Sequence, residues 1–154
     1  MKGLHLTLHT DGASKGNPGR AGIGVFITNE DGKTIAALSR YLGHKTNNEA
    51  EYWAILIGLR EAKRLGGEVI RIFTDSELVE RQINGRYRVK DLKLKPLHKA
   101  VVQDLKSFSS FKIESIPREG NREADRLANQ AIERRLEKEK EKGGDEGEEM
   151  VAPD

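Results

Sequence analysis

The sequence predicts an α/β fold, a mixed β-sheet with helices packed on it. Three observations carry this. Leu4 to His9 alternate in period two, and two more strand-like runs follow by residue 42, separated by short turn signals, the mark of strands joined as hairpins. Beyond residue 46, helical periodicity alternates with short apolar runs, the mark of crossover connections between parallel strands. The 154 residues, 36% of them hydrophobic, suffice for one domain with a real core.

Leu4, Leu6 and Leu8 alternate with His5, Thr7 and His9, a strand that ends on Asp11. Gly12 to Gly19 reads as a small glycine-rich turn that would let a large substrate approach the backbone. Ala21–Thr28 and Lys33–Leu42 are the second and third strands, joined at Asp31-Gly32, and turns this short make the three antiparallel. Thr46 followed by Glu49 is a capping-box pattern opening a helix to about Leu65, which stops at Gly66-Gly67. Its middle, Tyr52 to Leu59, is apolar nearly all round and should be buried. Val69–Thr74 is a fourth strand ending at Asp75, and the crossover sets it parallel to the first.

A short helix over Ser76–Ile83 is closed by Asn84-Gly85, and Arg86–Leu94 is basic and irregular. Pro96–Phe108 reads as a helix, Phe111–Ile116 as the fifth strand and Pro117–Gly120 as a loop. Asn121 opens a last helix whose inner stripe is Ala124, Leu127, Ala128, Ala131 and Ile132. The Glu-Lys repeat from Glu137 prolongs this helix on the surface, and residues 143–154 read as a solvated, flexible tail. The expected organisation is a domain over 1–136 and a charged tail over 137–154.

Composition narrows the chemistry. No cysteine is present, which excludes disulfides, thiolate zinc sites and thiol nucleophiles. The four histidines lack ligand spacing, and no Gly-Lys-Ser/Thr follows the glycine run, which argues against a phosphate-cradling loop. With no signal-like or membrane-length apolar run, a soluble, cytoplasmic protein is expected. The net charge of +2 conceals an asymmetry: residues 137–154 hold eight acids and three lysines, which leaves 24 basic and 17 acidic residues in 1–136. A basic body fits a polyanionic partner better than a membrane.

Four carboxylates should converge. Asp11 ends the first strand, Asp75 ends a strand parallel to it, and Glu51 and Asp125 lie in the first turns of helices that start at the same end. Sites in open α/β sheets lie beyond the carboxyl ends of parallel strands. Each acid alone has an ordinary reading: Asp11 as a turn residue, Asp75 as a helix cap, Asp125 as a helix-edge surface acid. Independent caps have no reason to gather at one end. Glu49 belongs to the capping box, whereas Glu51 shares a stripe with Ile55, Gly58 and Ala62 and needs a partner. Four hard oxygen donors suit Mg²⁺ or Mn²⁺, and such a cluster can hold two ions for in-line attack on phosphorus.

The segments Thr-Asp-Gly-Ala-Ser-Lys-Gly-Asn-Pro-Gly (10–19), Thr-Asn-Asn-Glu-Ala-Glu-Tyr (46–52), Phe-Thr-Asp-Ser (73–76) and Asn-Arg-Glu-Ala-Asp-Arg-Leu-Ala (121–128) together resemble type 1 ribonuclease H. The resemblance spans about residues 1–135. It implies a five-stranded mixed sheet of order 3-2-1-4-5 with helices on both faces. It implies a divalent-metal-dependent endonuclease that cuts the RNA strand of RNA–DNA hybrids, leaving 5′-phosphate and 3′-hydroxyl ends. It places catalysis and metal binding on Asp11, Glu51, Asp75 and Asp125. It also implies that Ser14, Gly16, Asn17, Asn47 and Asn48 line the hybrid's minor groove, where 2′-hydroxyls mark RNA, and that Thr46 meets a DNA-strand phosphate. On this reading a duplex approaching closely explains the glycines of residues 12–19. Cap chemistry is the ordinary alternative for Thr46, Asn47 and Asn48.

Two departures qualify the resemblance. Many members insert a basic handle where only Gly85–Lys95 stands here, so this is a short form; Arg81, Arg86, Arg88, Lys90, Lys93, Lys95 and Lys99 are candidates for a phosphate patch. Many carry a histidine before the last helix, where this chain has Pro117-Arg118-Glu119-Gly120. Arg118 is the candidate to replace it by contacting the scissile phosphate, with a plain surface arginine as the alternative. The rival functions are a related nuclease acting on double-stranded RNA or DNA, a non-catalytic hybrid-binding module, and a reverse transcriptase fragment. Met1 and the short tail favour a free-standing protein, expected to be a monomer.

Overall fold

The computed structural model describes residues 3–142 and Pro153. Five strands form one sheet in the order β3-β2-β1-β4-β5. These are β1 (Leu4–Gly16), β2 (Gly19–Asn29), β3 (Thr34–Lys45), β4 (Gly67–Thr74) and β5 (Ser110–Ser115). The β1–β2 and β2–β3 pairs are antiparallel, and the β1–β4 and β4–β5 pairs are parallel. The helices are α1 (Asn47–Arg64), α2 (Glu77–Ile83), α3 (Lys95–Leu105) and α4 (Arg122–Lys142), the last preceded by a 3-10 turn over Arg118–Asn121. Among the described residues no helix is long and apolar enough to cross a membrane.

Side chains alternate along β2, and this sorts the layers. Val25 meets Gly58 of α1, while its neighbour Gly24 meets Ala124, Leu127 and Ala128 of α4. Helices α1 and α4 therefore cover opposite faces. The core lies mainly on the α1 side, where Leu6, Leu8, Ile23, Val25, Ile27, Ile70 and Ile72 of the sheet meet Tyr52 through Leu59 of α1, with α3 packed outside. The inner stripe of α4 is buried as its spacing predicts.

The capping box at Thr46 is present in both directions. Thr46 Oγ1 accepts from Glu49 N at 3.1 Å, and Glu49 Oε1 accepts from Thr46 N at 2.9 Å. Ser76 caps α2 through Val79 N. These caps fix where each helix starts, and so where the carboxylate that follows or precedes them stands.

Two expectations are corrected. The glycine-rich run after Asp11 is not a turn: β1 continues to Gly16, paired with β2 in register from Leu6 to Gly16, and the chain reverses only at Asn17-Pro18, a cis peptide. Pairing with β2 satisfies the backbone there and overrides the loop-like composition. Helix α4 continues past Glu137, as the charge repeat predicts, but Glu139, expected on the surface, is buried at 7% exposure. The predicted flexible tail, residues 143–154, lies outside the described residues apart from Pro153.

Candidate active site

Strand β1 leaves β4 after the pair His9–Phe73, so Asp11 stands where the parallel part of the sheet opens. The start of α1 closes on this gap. A Cβ on Gly12 would lie 2.2 Å from the Ala50 carbonyl carbon and 2.4 Å from Glu51 N, so only glycine lets the helix backbone come this near. In return Glu51 Oε1 accepts a hydrogen bond from Gly12 N. Gly12 is thus explained by the seating of α1 on β1, and the expectation that a duplex accounts for this glycine is corrected.

Asp11, Glu51 and Asp75 each offer an oxygen within 4.8 Å of the others. Asp11 and Glu51 are buried, at 5% and 7% exposure, and Asp75 is partly buried. Asp125 stands outside this group of three, but its carboxylate is near enough to Asp11 to help raise the Asp11 pKa. It is steadied by Asn129 Nδ2, which donates to its Oδ1 at 3.2 Å.

Helix α4 is brought to Asp11 by two glycines of β2, Gly22 and Gly24. Gly24 pairs with Asp11 across the hairpin, and a Cβ on it would lie 2.0 Å from the Ala124 carbonyl oxygen; at Gly22 the distance to the Ala128 oxygen would be 2.7 Å. Asn121, 1% exposed, ties the helix start to the same strand by donating from Nδ2 to the Thr10 carbonyl at 2.9 Å. Sequence reading missed these seats. The visible signal was the Gly22-Ile23-Gly24 alternation inside an otherwise apolar strand, which marks close backbone approach.

Crowding anions in a partly dry pocket is unfavourable. Burial, and then the negative charges of Glu51 and Asp75, push Asp11 up to about 10. Burial, and then Asp75, push Glu51 up to about 8. Asp75 Oδ2 is buried with no hydrogen-bond partner. Its nearest cation is Arg118 Nε, 3.8 Å away on a side chain that is 81% exposed. Packed carboxylates, raised pKa values and an orphaned oxygen are the demands of a site that a hard divalent cation would satisfy, and the donor set fits Mg²⁺ or Mn²⁺.

The other predicted residues gather beside the acids. Ser14 Oγ donates to the Lys45 carbonyl at 2.9 Å, and Asn17 Oδ1 accepts from Asn47 N at 3.1 Å. The tip of the β1–β2 hairpin and the start of α1 thus form one surface carrying Ser14, Gly16, Asn17, Thr46, Asn47 and Asn48. Gly16, Asn17 and Asn47 are exposed, the other three half-buried. Gly16 also turns the chain, with φ +109°. Arg118 lies across the acids from this surface, beside Asp75.

The sequence profile of the reverse transcriptase-like family matches residues 9–131. A bifunctional protein of Mycobacterium tuberculosis is 37% identical over 123 residues, covering 79% of this chain and 34% of that protein. Ribonuclease HI of Halobacterium salinarum is 36% identical over 124 residues, covering 80% and 62%. The chain thus spans about a third of the first relative and less than two thirds of the second. Among solved structures, the N-terminal RNase H domain of the M. tuberculosis protein superposes with TM-score 0.81 at 36% identity, over 83% of this chain and 98% of that one. The RNase H1 of H. salinarum gives 0.80 at 36%, over 85% and 98%. LC11-RNase H1, solved in complex with an RNA/DNA hybrid, gives 0.81 at 38%, over 85% and 99%. With the same sheet order and a matched profile over most of its length, the chain belongs to the reverse transcriptase-like family as a ribonuclease H-like domain.

Proposed function

We propose that this protein is an endonuclease that hydrolyses the RNA strand of RNA–DNA hybrids with divalent metal, Mg²⁺ or Mn²⁺. The observation that carries the proposal is the meeting of Asp11, Glu51 and Asp75 within 4.8 Å, with Asp125 close to Asp11, beside a polar surface shaped by the hairpin tip and α1. The relative called ribonuclease HI and the hybrid complex of LC11-RNase H1 support it.

The residues divide the work. Asp11, Glu51, Asp75 and Asp125 hold the metal; when bound, divalent ions activate the attacking water and neutralise charge on the leaving 3′ oxygen. Water adds in line to phosphorus, the bond to the 3′ oxygen breaks, and the products carry 5′-phosphate and 3′-hydroxyl ends. Ser14, Gly16, Asn17, Asn47 and Asn48 meet the minor groove, where 2′-hydroxyls distinguish the strand to be cut. The Asn47 side chain is exposed, and its backbone N–H is already bonded to Asn17, so the two asparagines act as one unit. Thr46 Oγ1 accepts from Glu49 N, which leaves its own proton to donate to a DNA-strand phosphate. Arg118, exposed beside Asp75, contacts the scissile phosphate.

The test compares labelled RNA–DNA hybrid, double-stranded RNA and double-stranded DNA, with Mg²⁺, Mn²⁺ or EDTA, for wild type and Asp11→Asn. Cleavage confined to the RNA of the hybrid, lost with EDTA and in Asp11→Asn, is expected. Near-normal activity in the variant would overturn the metal site, and equal cleavage of duplex DNA would overturn the substrate assignment.

A further inference from the structure

The charge repeat at the end of α4 hides one residue unlike its neighbours. Glu137 and Glu141 are exposed, while Glu139 is 7% exposed. Helical spacing explains this: residues 124, 128, 132, 135 and 139 follow one another on one face, so Glu139 extends the apolar stripe that lies against β2. A buried carboxylate is costly unless it is paired. Here two arginines pair it. The Arg20 guanidinium bonds both of its oxygens, and Arg135 Nε lies 3.4 Å from Oε1 while its guanidinium covers the Tyr41 ring at 4.8 Å.

Arg20 is two residues beyond Pro18. It pairs with Lys15 of β1 on one side and His44 of β3 on the other, so it belongs to the tip of the β1–β2 hairpin. Within the sheet the tip is held by β3, which pairs with β2 as far as Gly19–Lys45. Past His9, β1 has lost β4 and is paired only with β2. The apolar part of α4 ends over Gly22, where Ala131 and Ile132 lie. The bonds from Ser14 and Asn17 belong to groups that also face the proposed substrate. The Glu139–Arg20 contact is the buried anchor, with side chains 7% and 28% exposed.

We infer that Glu139 is a positioning residue for substrate binding: by gripping Arg20 it fixes the hairpin tip on the last turns of α4, and with it Ser14, Gly16 and Asn17. This rests on the hybrid-nuclease reading above. The acids are seated by Gly12, Gly24 and Asn121, well away from this anchor. Losing it therefore lowers the fraction of molecules with a docked tip and leaves the chemistry of bound hybrid unchanged. If the docked fraction fell to roughly a fifth, KM would rise about fivefold at constant kcat.

The test uses the full chain with Glu139→Gln, Arg20→Gln and the double variant. Steady-state kinetics on hybrid and amide hydrogen exchange of the protein alone are both measured. Expected are a KM raised about three- to tenfold in each single variant, no further rise in the double, and an unchanged kcat. Exchange should quicken at residues 14–19 and not at 23–28. Unchanged exchange at the tip overturns the anchor whatever the enzyme cuts. Quickened exchange with an unchanged KM overturns the link to substrate. A lower KM would show Arg20 released to bind phosphate, and a fall in kcat would show general loosening; either refutes the inference. If wild type cuts no hybrid, the functional reading fails, while the exchange result still decides the anchor.

Discussion

Replacing Gly24 by alanine should disable the site without touching an acid. The added methyl would stand 2.0 Å from the Ala124 carbonyl oxygen, 2.7 Å from Ala128 N and 2.8 Å from Leu127 Cβ. Two of these are helix backbone, so no side chain can swing aside. Restoring a contact of 3.4 Å requires strand and helix to part by about 1.4 Å, and the residue beside Ala124 is Asp125. Overpacking of this kind costs about 1–3 kcal/mol, within the reach of a domain that stays folded. A misplacement of about 1 Å at a catalytic group can cost about 10²-fold in rate. Gly24→Ala should therefore melt several degrees lower and lose about 10²-fold in kcat. Gly32→Ala is the control: φ there is +79° with nothing near the added methyl, so it should lose stability and keep its rate. The readouts are thermal melting and single-turnover cleavage of labelled hybrid. A folded Gly24→Ala protein within threefold of wild-type kcat would refute the claim that this helix seat sets the acid geometry.

Three further outcomes are expected. Asp11 and Glu51 hold protons in the folded metal-free protein that they would release on unfolding, so stability should fall as pH rises from about 4, through the range where Glu51 (about 8) and then Asp11 (about 10) ionise. Because Mg²⁺ displaces those protons, its stabilising effect on Tm should grow from pH 5 to pH 9; a shift that shrinks with pH would contradict the assignment. Asp11→Asn is neutral without having to take up a proton on folding, so the metal-free variant should melt higher than wild type at neutral pH, lose its response to Mg²⁺ and cleave nothing, as calorimetry and cleavage assays with and without EDTA would show. Arg118→Ala should lower kcat about tenfold with little change in Tm, since the side chain is 81% exposed; unchanged kcat and KM would make it a plain surface arginine.

How much was legible follows from what the signals depend on. The strands, the helix starts at Thr46 and Ser76, and the placing of the four acids at one end rest on local periodicity, caps and chain direction, and these survive into the fold. Glu51 was separable from Glu49 because one position completes a capping box and the other has no such task. The run from Gly12 to Gly16 was misread because glycine weakens a strand locally, whereas its pairing with β2 is a tertiary fact. Glu139 was misread because a run of alternating Glu and Lys carries no hydrophobic phase; only counting back to Ala124 shows which glutamate turns inward. The seats of the site, Gly24 beneath Ala124 and Asn121 on Thr10, are contacts between segments about a hundred residues apart; the Gly22-Ile23-Gly24 alternation marks a close approach, but no local pattern names the partner.

The structure also bears on how a chain without the basic handle can present cations to a polyanion. Helix α3 runs beside α1 in the same direction: His98 adjoins the Tyr52 ring, Arg60 bonds Asp104 at 3.2 Å and Lys63 bonds the Ser107 carbonyl at 2.9 Å. Continuing that register backwards places Lys95 level with the first turn of α1, where Asn47 and Asn48 stand. Of the seven candidate phosphate ligands, Arg81 lies 3.4 Å from the exposed Glu77, and Arg86 lies 3.8 Å from the buried Glu80. Among the described residues Arg88, Lys90, Lys93, Lys95 and Lys99 enter no ion pair, and all are exposed. The end of the molecule that carries the acids is therefore flanked by unpaired cations on one side and by the hairpin tip on the other. An acid cluster facing a polyanion repels it, so attraction has to come from charges set apart from the acids. Neutralising Lys95 and Lys99 together should accordingly raise KM and flatten its dependence on salt by about two charges, leaving kcat and Mg²⁺ affinity intact. An unchanged salt slope would place the phosphate contacts elsewhere.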